Sequence, residues 1–314
     1  MSTSGTGRPL HLFGPTTLWT EAAAFRDGLQ AKVVDNGLQL CRGDIAVDVT
    51  CIDDGFDDVE EWTSDAGALA AQRASLLQAI AAAERGAVAA LVTAPIRKAC
   101  LDDVDGQSWP GHTELLGHRL SVDGDEPLML FAGGPFLLGL ATVHIPLANV
   151  SSSLTPTRLQ KRLLRLLQAC RQLSSSTETT RLTVLGLNPH AGEDGLLGSE
   201  EQDVIAPTLA AFSADHAGVD VEGPVPADGF FGHLHRRAQP PDGVLAMYHD
   251  QGLAPYKLLA QNRGVNITIG LKVPRTSPDH GTAVGMRDGG QADATSMTEA
   301  LQLALQLVAA KPTD

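Results

Sequence analysis

Three observations predict an α/β fold with a mainly parallel sheet. Short apolar runs rich in β-branched residues alternate with long helical patterns along most of the chain. Helix-start residues and turn residues fall between those runs, where a strand-to-helix crossover needs them. With 314 residues, 43% of them hydrophobic, the chain can build one large domain or two ordinary ones around a real core.

The elements follow in order. Candidate strands are "LHLF", "KVVD", "AVDVT", "AALVTAP", "PLMLFAG", "LGLATVHI", "RLTVLGL", "GVLAMY" and "VNITIGL". Between them, "DAGALAAQRASLLQAIAAAERG" is rich in the strong helix formers Ala and Leu. Thr155 followed by Pro156 reads as an N-cap with proline at the first helical position. Ser199 with Gln202 three residues on has the spacing of a capping box. In "TRLQKRLLRLLQACR", Leu159, Leu163, Leu166 and Leu167 recur at helical spacing, so the intervening basic residues read as a solvated face. The stretch "SSSTETT" from Ser174 to Thr180 reads as a surface connection, and "ATSMTEALQLALQLVAAK" as a closing amphipathic helix. Composition marks no sharp domain boundary; the chain is expected to leave a first unit near Gly111 and return to it after "AMYHDQGLAPYKLL".

A formal charge of -14 disfavours general affinity for nucleic acid or anionic membrane, because the summed field repels polyanions. It leaves room for a small anion held by a few Lys and Arg. Cys41, Cys51, Cys100 and Cys170 show neither a C-x-x-C nor a zinc-finger spacing, and read as buried thiols of a reducing compartment. The opening "MSTSGTGRPLHLFG" lacks a signal-peptide pattern, so a cytoplasmic protein is expected, with no nucleic-acid or membrane partner.

Three candidate strands run into a histidine: "LGLATVHIPL" into His144, "RLTVLGLNPHAGEDG" into His190 and "GVLAMYHDQG" into His249. Ligands of open α/β sheets gather beyond the carboxyl ends of strands, so three such imidazoles could meet there and bind a catalytic divalent metal. The bland alternative, that each caps its own turn or packs in the core, stays open on spacing alone. Asn188, Pro189 and Gly192 shape one turn, Gly252 the other; Glu193 and Asp250 could orient imidazoles or take a proton. Lys257, Asn266 and Arg275 supply donors suited to phosphate or carboxylate, and His112 and Thr113 follow a Pro-Gly turn where an anion could also sit. Asp279, His280, Gly281 and Thr282 lie in a Gly-rich loop that could approach a nucleotide, although no G-x-G-x-x-G opens a helix.

The strings "LVTAPIRK", "GHTELLG", "LNPHAGEDG", "YHDQGLAPYK", "VNITIGL" and "RTSPDHGTA", in this succession, resemble the 4-hydroxythreonine-4-phosphate dehydrogenase family from roughly Ala66 to the C-terminus. The resemblance implies an isocitrate/isopropylmalate dehydrogenase-like fold of two-domain α/β/α architecture. The cofactor-side domain would span residues 1–115 and 255–314, and residues 116–254 would carry the metal ligands and the interface of a homodimer with shared active sites. It implies that His144, His190 and His249 bind a divalent metal (Zn, Mg or Co), with ligands shared between subunits. It further implies that His112, Thr113, Lys257, Asn266 and Arg275 hold the phosphorylated substrate, and that His280, Gly281 and Thr282 lie against NAD or NADP. Asp250 is the candidate for removing the hydroxyl proton.

The implied reaction oxidises the secondary alcohol of 4-phosphooxy-L-threonine and releases carbon dioxide, giving 3-amino-2-oxopropyl phosphate for pyridoxal phosphate synthesis. The alternatives are a dehydrogenase for 4-phosphothreonate or 4-phosphoerythronate, and a non-catalytic binder of phosphorylated metabolites. Two departures fall on the cofactor side: this chain has no counterpart of the family's opening "GDPAGIGPE"-like loop, and "VGMRDGG" stands where a "DIAGKG"-like run is common.

Overall fold

A computed structural model describes residues 9–24, 28–35, 37–52, 64–122, 124, 126–174, 179–283 and 292–310. The chain divides by packing into two compact units, residues 1–85 with 96–109 and residues 86–95 with 110–314. The boundaries expected at 115 and 254 concern which part carries which function, and they fall inside helices of the second unit.

In the first unit, β1 (Leu10–Phe13) pairs parallel with β4 (Ile45–Ile52), and β4, β3 (Gly37–Arg42) and β2 (Gln30–Val34) form an antiparallel meander. The unit also contains α1 (Thr16–Ala24) and the Ala-rich α2 (Asp65–Glu84), capped by the Ser64 hydroxyl, which accepts from Gly67 N at 3.0 Å. Arg73 of α2 donates to the carbonyls of Cys100 and Asp102, and Arg97 pairs with Asp65 at 3.1 Å, docking residues 96–109 on that helix.

The second unit is built on an eight-stranded sheet. Its strands are β5 (Leu91–Val92), β6 (Leu128–Ala132), β7 (Leu137–Leu140), β8 (Thr180–Leu185), β9 (Val219–Val225), β10 (Gly243–Ala246), β11 (Val265–Ile269) and β12 (Arg275–Pro278). Their order is β5-β12-β11-β6-β7-β10-β8-β9. Its helices are α3 (His112–Leu120), α4 (Val150–Ser153), α5 (Pro156–Leu173), α6 (Ala206–Asp215), α7 (Ala227–His233), α8 (His249–Ala260) and α9 (Thr295–Ala309).

Alternation along the strands makes two cores, because successive side chains point to opposite faces. Leu128 and Leu130 of β6 and Leu245 of β10 pack with Leu159, Leu163 and Leu166 of α5, Phe212 of α6 and Leu307 of α9. Met129, Phe131, Val244 and Ala246 face the other way, onto Phe230 of α7 and Leu253 and Tyr256 of α8. The α/β class expected from the sequence is therefore the one observed.

Four details differ from the sequence reading. The larger sheet is mixed: β7, β10, β8 and β9 run parallel, as do β5 and β12, but β12-β11-β6-β7 are joined antiparallel. The strands β3, β9 and β12 were not expected, since Gly, Pro or charged residues interrupt their apolar pattern. The basic face of α5 is not wholly solvated: Arg162 and Arg165 are buried, and both donate to the Glu126 carbonyl. Arg162 also reaches the Pro127 carbonyl, at 2.6 Å. Thr155 caps α5 as expected, accepting from Arg158 N at 3.2 Å, but the Ser199 hydroxyl donates to Asp203, at 2.6 Å, in place of a Gln202 capping box.

Cys100 and Cys170 are buried, Cys41 and Cys51 half-buried, and no disulfide joins them. Among the described residues no helix is long and apolar enough to cross a membrane. Residues 175–178 of the expected surface connection, and 284–290 of the "VGMRDGG" run, lie outside the described residues.

Candidate active site

The three histidines singled out in the sequence follow three neighbouring parallel strands of the second unit. His144 comes four residues after β7 ends, His249 three after β10, and His190 five after β8. The register explains why the first two meet. Leu140 pairs with Ala246, and the pairing runs on through Ala141 N to Ala246 O (2.8 Å) and Thr142 Oγ1 to Met247 O (2.7 Å). The chains then diverge into turns, with the His144 and His249 rings 5.9 Å apart between centroids.

Each of these rings is held by a carboxylate. Glu114 Oε1 lies 2.6 Å from His144 Nδ1, and Asp250 Oδ1 lies 2.6 Å from His249 Nδ1. A carboxylate accepts only, so each Nδ1 carries a proton, the tautomer that in a neutral ring leaves Nε2 with the lone pair a metal ion requires. The donor chemistry of the pair fits a divalent ion.

His190 stands apart from this pair. Among the described residues no group of three or more His, Cys, Asp or Glu side chains is gathered to hold a metal. Its loop is a left-handed turn in which His190, Ala191, Gly192, Glu193 and Asp194 all have positive φ. Glu201, buried beneath it, accepts from the backbone of Leu187 (2.7 Å) and Asn188 (2.8 Å) and from the Asn188 side chain (2.9 Å). Gln251 ties this loop to the His249 turn, donating to Gly186 O at 2.6 Å and accepting from Met247 N at 2.7 Å.

Glu114 also acts on a buried cation, Arg275. Arg275, at the start of β12, is 3% exposed, and its guanidinium donates to Thr93 Oγ1 at 2.6 and 2.9 Å. Burial pushes it down to about 10, opposed by the charge of Glu114, so it stays protonated at neutral pH. His112 and Thr113 open α3 beside it. Burial, and then the Arg275 charge, push the His112 imidazole down to about 3, so that ring is neutral. His112 Nε2 is buried without a hydrogen-bond partner, and so is Asn266 Oδ1 on β11. Leaving such groups unpaired costs roughly 1–3 kcal/mol each, so a ligand offering partners is favoured there.

The remaining expected residues sit differently. Lys257 on α8 is half-exposed and paired with Asp279 at 3.0 Å. His280, Gly281 and Thr282 are exposed, and His280 Nδ1 lies 2.9 Å from Gly281 O. The α8 helix that carries His249 and Lys257 is anchored by Tyr256, whose buried hydroxyl lies 3.0 Å from Phe136 O and accepts from Gly134 N at 3.0 Å.

Four functional neighbours escaped the sequence reading: Thr93, Glu114, Glu201 and Gln251. Thr93, Glu114 and Gln251 lie inside the quoted strings "LVTAPIRK", "GHTELLG" and "YHDQGLAPYK", so the signal was there without a partner to give it meaning.

Fold and site together define a class: an α/β protein with a buried guanidinium near a pair of carboxylate-held histidines. The family model described as "Pyridoxal phosphate biosynthetic protein PdxA" matches residues 9–304, further toward the N-terminus than the motifs alone reach. A 4-hydroxythreonine-4-phosphate dehydrogenase of Chromobacterium violaceum is 43% identical over 234 residues, covering 74% of this chain and 69% of that protein. One from Bacteroides thetaiotaomicron is 39% identical over 262 residues, covering 82% and 69%. The crystal structure of 4-hydroxythreonine-4-phosphate dehydrogenase from Klebsiella pneumoniae superposes with a TM-score of 0.68 at 36% identity, covering 84% of this chain and 78% of that one. The chain belongs to the pyridoxal phosphate biosynthetic protein PdxA family.

Proposed function

We propose that the protein is a dehydrogenase of secondary alcohols that oxidises 4-phosphooxy-L-threonine and releases carbon dioxide, yielding 3-amino-2-oxopropyl phosphate for pyridoxal phosphate biosynthesis. The observation that carries this reading is the buried Arg275 guanidinium beside two unpaired buried polar atoms, His112 Nε2 and Asn266 Oδ1, within a chain of this family. A phosphorylated amino acid supplies both an anion for the guanidinium and partners for the orphans.

When bound, NAD would supply a two-electron acceptor for the carbinol carbon, and a divalent ion (Zn, Mg or Co) an electrophile for the alcohol oxygen. The chain's own residues do the rest. Arg275, His112, Thr113 and Asn266 bind and orient the phosphorylated substrate, so that binding energy remote from the reacting carbon is spent on positioning. Lys257 joins them on exchanging Asp279 for the phosphate. His144 and His249 offer Nε2 to the ion, held by Glu114 and Asp250, and His190 completes the set from a partner subunit. Asp250, 86% exposed, is also our candidate for taking the hydroxyl proton. His280, Gly281 and Thr282 face the dinucleotide. In this functional division, residues 1–115 and 255–314 form the cofactor side and 116–254 the metal side.

Sharing of the site in a homodimer is supported by the exposed leucines on the segments that follow the three histidines. Leu147 is 69%, Leu196 80% and Leu258 80% exposed, and a second copy would cover them.

Arg275→Met tests the substrate assignment. Charge-assisted hydrogen bonds are worth roughly 1.5–3 kcal/mol, so KM for the phosphorylated substrate should rise about 10- to 100-fold. The melting temperature should hold, because an apolar side chain of similar length replaces a buried charge. An unchanged KM would remove Arg275 from the site.

A further inference from the structure

We infer that Glu114 is a positioning residue that joins the anion pocket to the metal-binding histidine pair, holding His144 in the tautomer and orientation needed for coordination. The inference rests on the proposed role of His144 as a metal ligand and adds the residue that sets it.

Glu114 sits in the first turn of α3, two residues after His112 and one after Thr113. Its Oε1 is 2.6 Å from His144 Nδ1, on a loop 30 residues away in sequence. It is only 27% exposed on the side-chain scale, so the contact is partly shielded from water. Its charge also acts on the buried Arg275 guanidinium. One carboxylate thus lies between the residues assigned to substrate and a residue assigned to metal. Any shift of the α3 turn that accompanies anion binding at His112 and Thr113 moves the group that orients the His144 ring. Asp250, by contrast, holds His249 from the adjacent position in the same helix.

A rival role exists on the same residue. Glu114 is the third residue of α3, and its Oε2 folds back so that a Cβ on Gly111 would lie 3.1 Å from it, as a glutamate stabilising a helix N-terminus does. Two conservative substitutions separate the roles. Glu114→Asp keeps the charge at the helix terminus but withdraws the oxygen from His144 by one methylene. Glu114→Gln gives up the charge but keeps the length and an acceptor oxygen for Nδ1–H.

The experiment is calorimetric titration with zinc chloride of chelator-stripped protein, in the parent, Glu114→Asp, Glu114→Gln and His144→Ala, with thermal unfolding of each metal-free form alongside. Loss of a partner that orients a metal ligand typically costs about 10- to 100-fold in affinity, and Glu114→Asp should show it while its melting temperature matches the parent. Glu114→Gln should retain most of the parental affinity despite losing helix stabilisation. Zinc binding by Glu114→Asp as tight as by Glu114→Gln, with His144→Ala weakened, would overturn the role of Glu114 alone. Unweakened binding by His144→Ala would overturn the metal assignment and this inference with it.

Discussion

At the scale of single residues, the site is defined by how protonation is fixed through burial and neighbours. His112 is kept neutral next to a protonated guanidinium, so it can donate or accept a hydrogen bond without adding charge to the pocket. That has a stability consequence whose sign is definite. In the unfolded chain a histidine protonates near pH 6.5, whereas in the fold His112 resists protonation down to about 3. The unfolded state therefore binds more protons across this window, and stability that is fully present above about pH 6.5 is lost as pH falls toward the folded value. Melting temperatures recorded from pH 7 to pH 5, above the range where most carboxylates titrate, should fall more steeply for the parent than for His112→Gln. Equal slopes would show that His112 titrates normally.

The identities of these residues were legible in the sequence, because each falls in a short motif with a turn before it. Their partnerships were not. Nothing in "GHTELLG" says that Glu114 reaches His144 across 30 residues, or that Thr93 of "LVTAPIRK" receives Arg275 across 182. Lys257 was expected at the anion and is paired with Asp279, a choice between partners that only three-dimensional packing reveals.

At the scale of elements, strand ends and turns do the positioning. The parallel pairing of β7, β10 and β8 brings three strand ends to one side, and the following loops decide where each histidine goes. The most demanding of these is the left-handed turn at His190, where non-glycine residues adopt a conformation costing roughly 1–2 kcal/mol apiece. Gly192 makes the turn possible: at φ +86° a Cβ would sit 2.8 Å from both Glu201 Oε2 and Gly198 O. Gly192→Ala should therefore lower stability by on the order of 1–3 kcal/mol, read from denaturant midpoints at unchanged slope. A parental midpoint would mean that Glu201 and the loop move aside freely.

The element pattern was largely readable beforehand, since buried strands and Ala/Leu-rich helices announce themselves by periodicity. The exceptions have physical causes. β12, "RTSP", is a strand through its pairing with β11 and β5, although its own residues carry a charge and a proline. The buried guanidiniums of α5 escaped because helical spacing alone does not show that the carbonyls of Glu126 and Pro127 wait to receive them.

At the scale of the whole molecule, a single chain offers two of the three expected metal ligands at one place and leaves exposed leucines on the segments that follow all three. The proposed two-fold assembly, in which a partner supplies the third imidazole, would account for both features. Light scattering should report the mass of two chains, and a stable monomer with full turnover would contradict the shared site.

The most direct measurement is formation of reduced nicotinamide cofactor by the purified protein with 4-phosphooxy-L-threonine and NAD, after chelation and again after adding back zinc, magnesium or cobalt. The account predicts turnover that vanishes on chelation and returns with the metal, with 4-phosphothreonate and 4-phosphoerythronate as slower substrates. No cofactor reduction with 4-phosphooxy-L-threonine under any metal condition, or reduction unaffected by chelation, would contradict it.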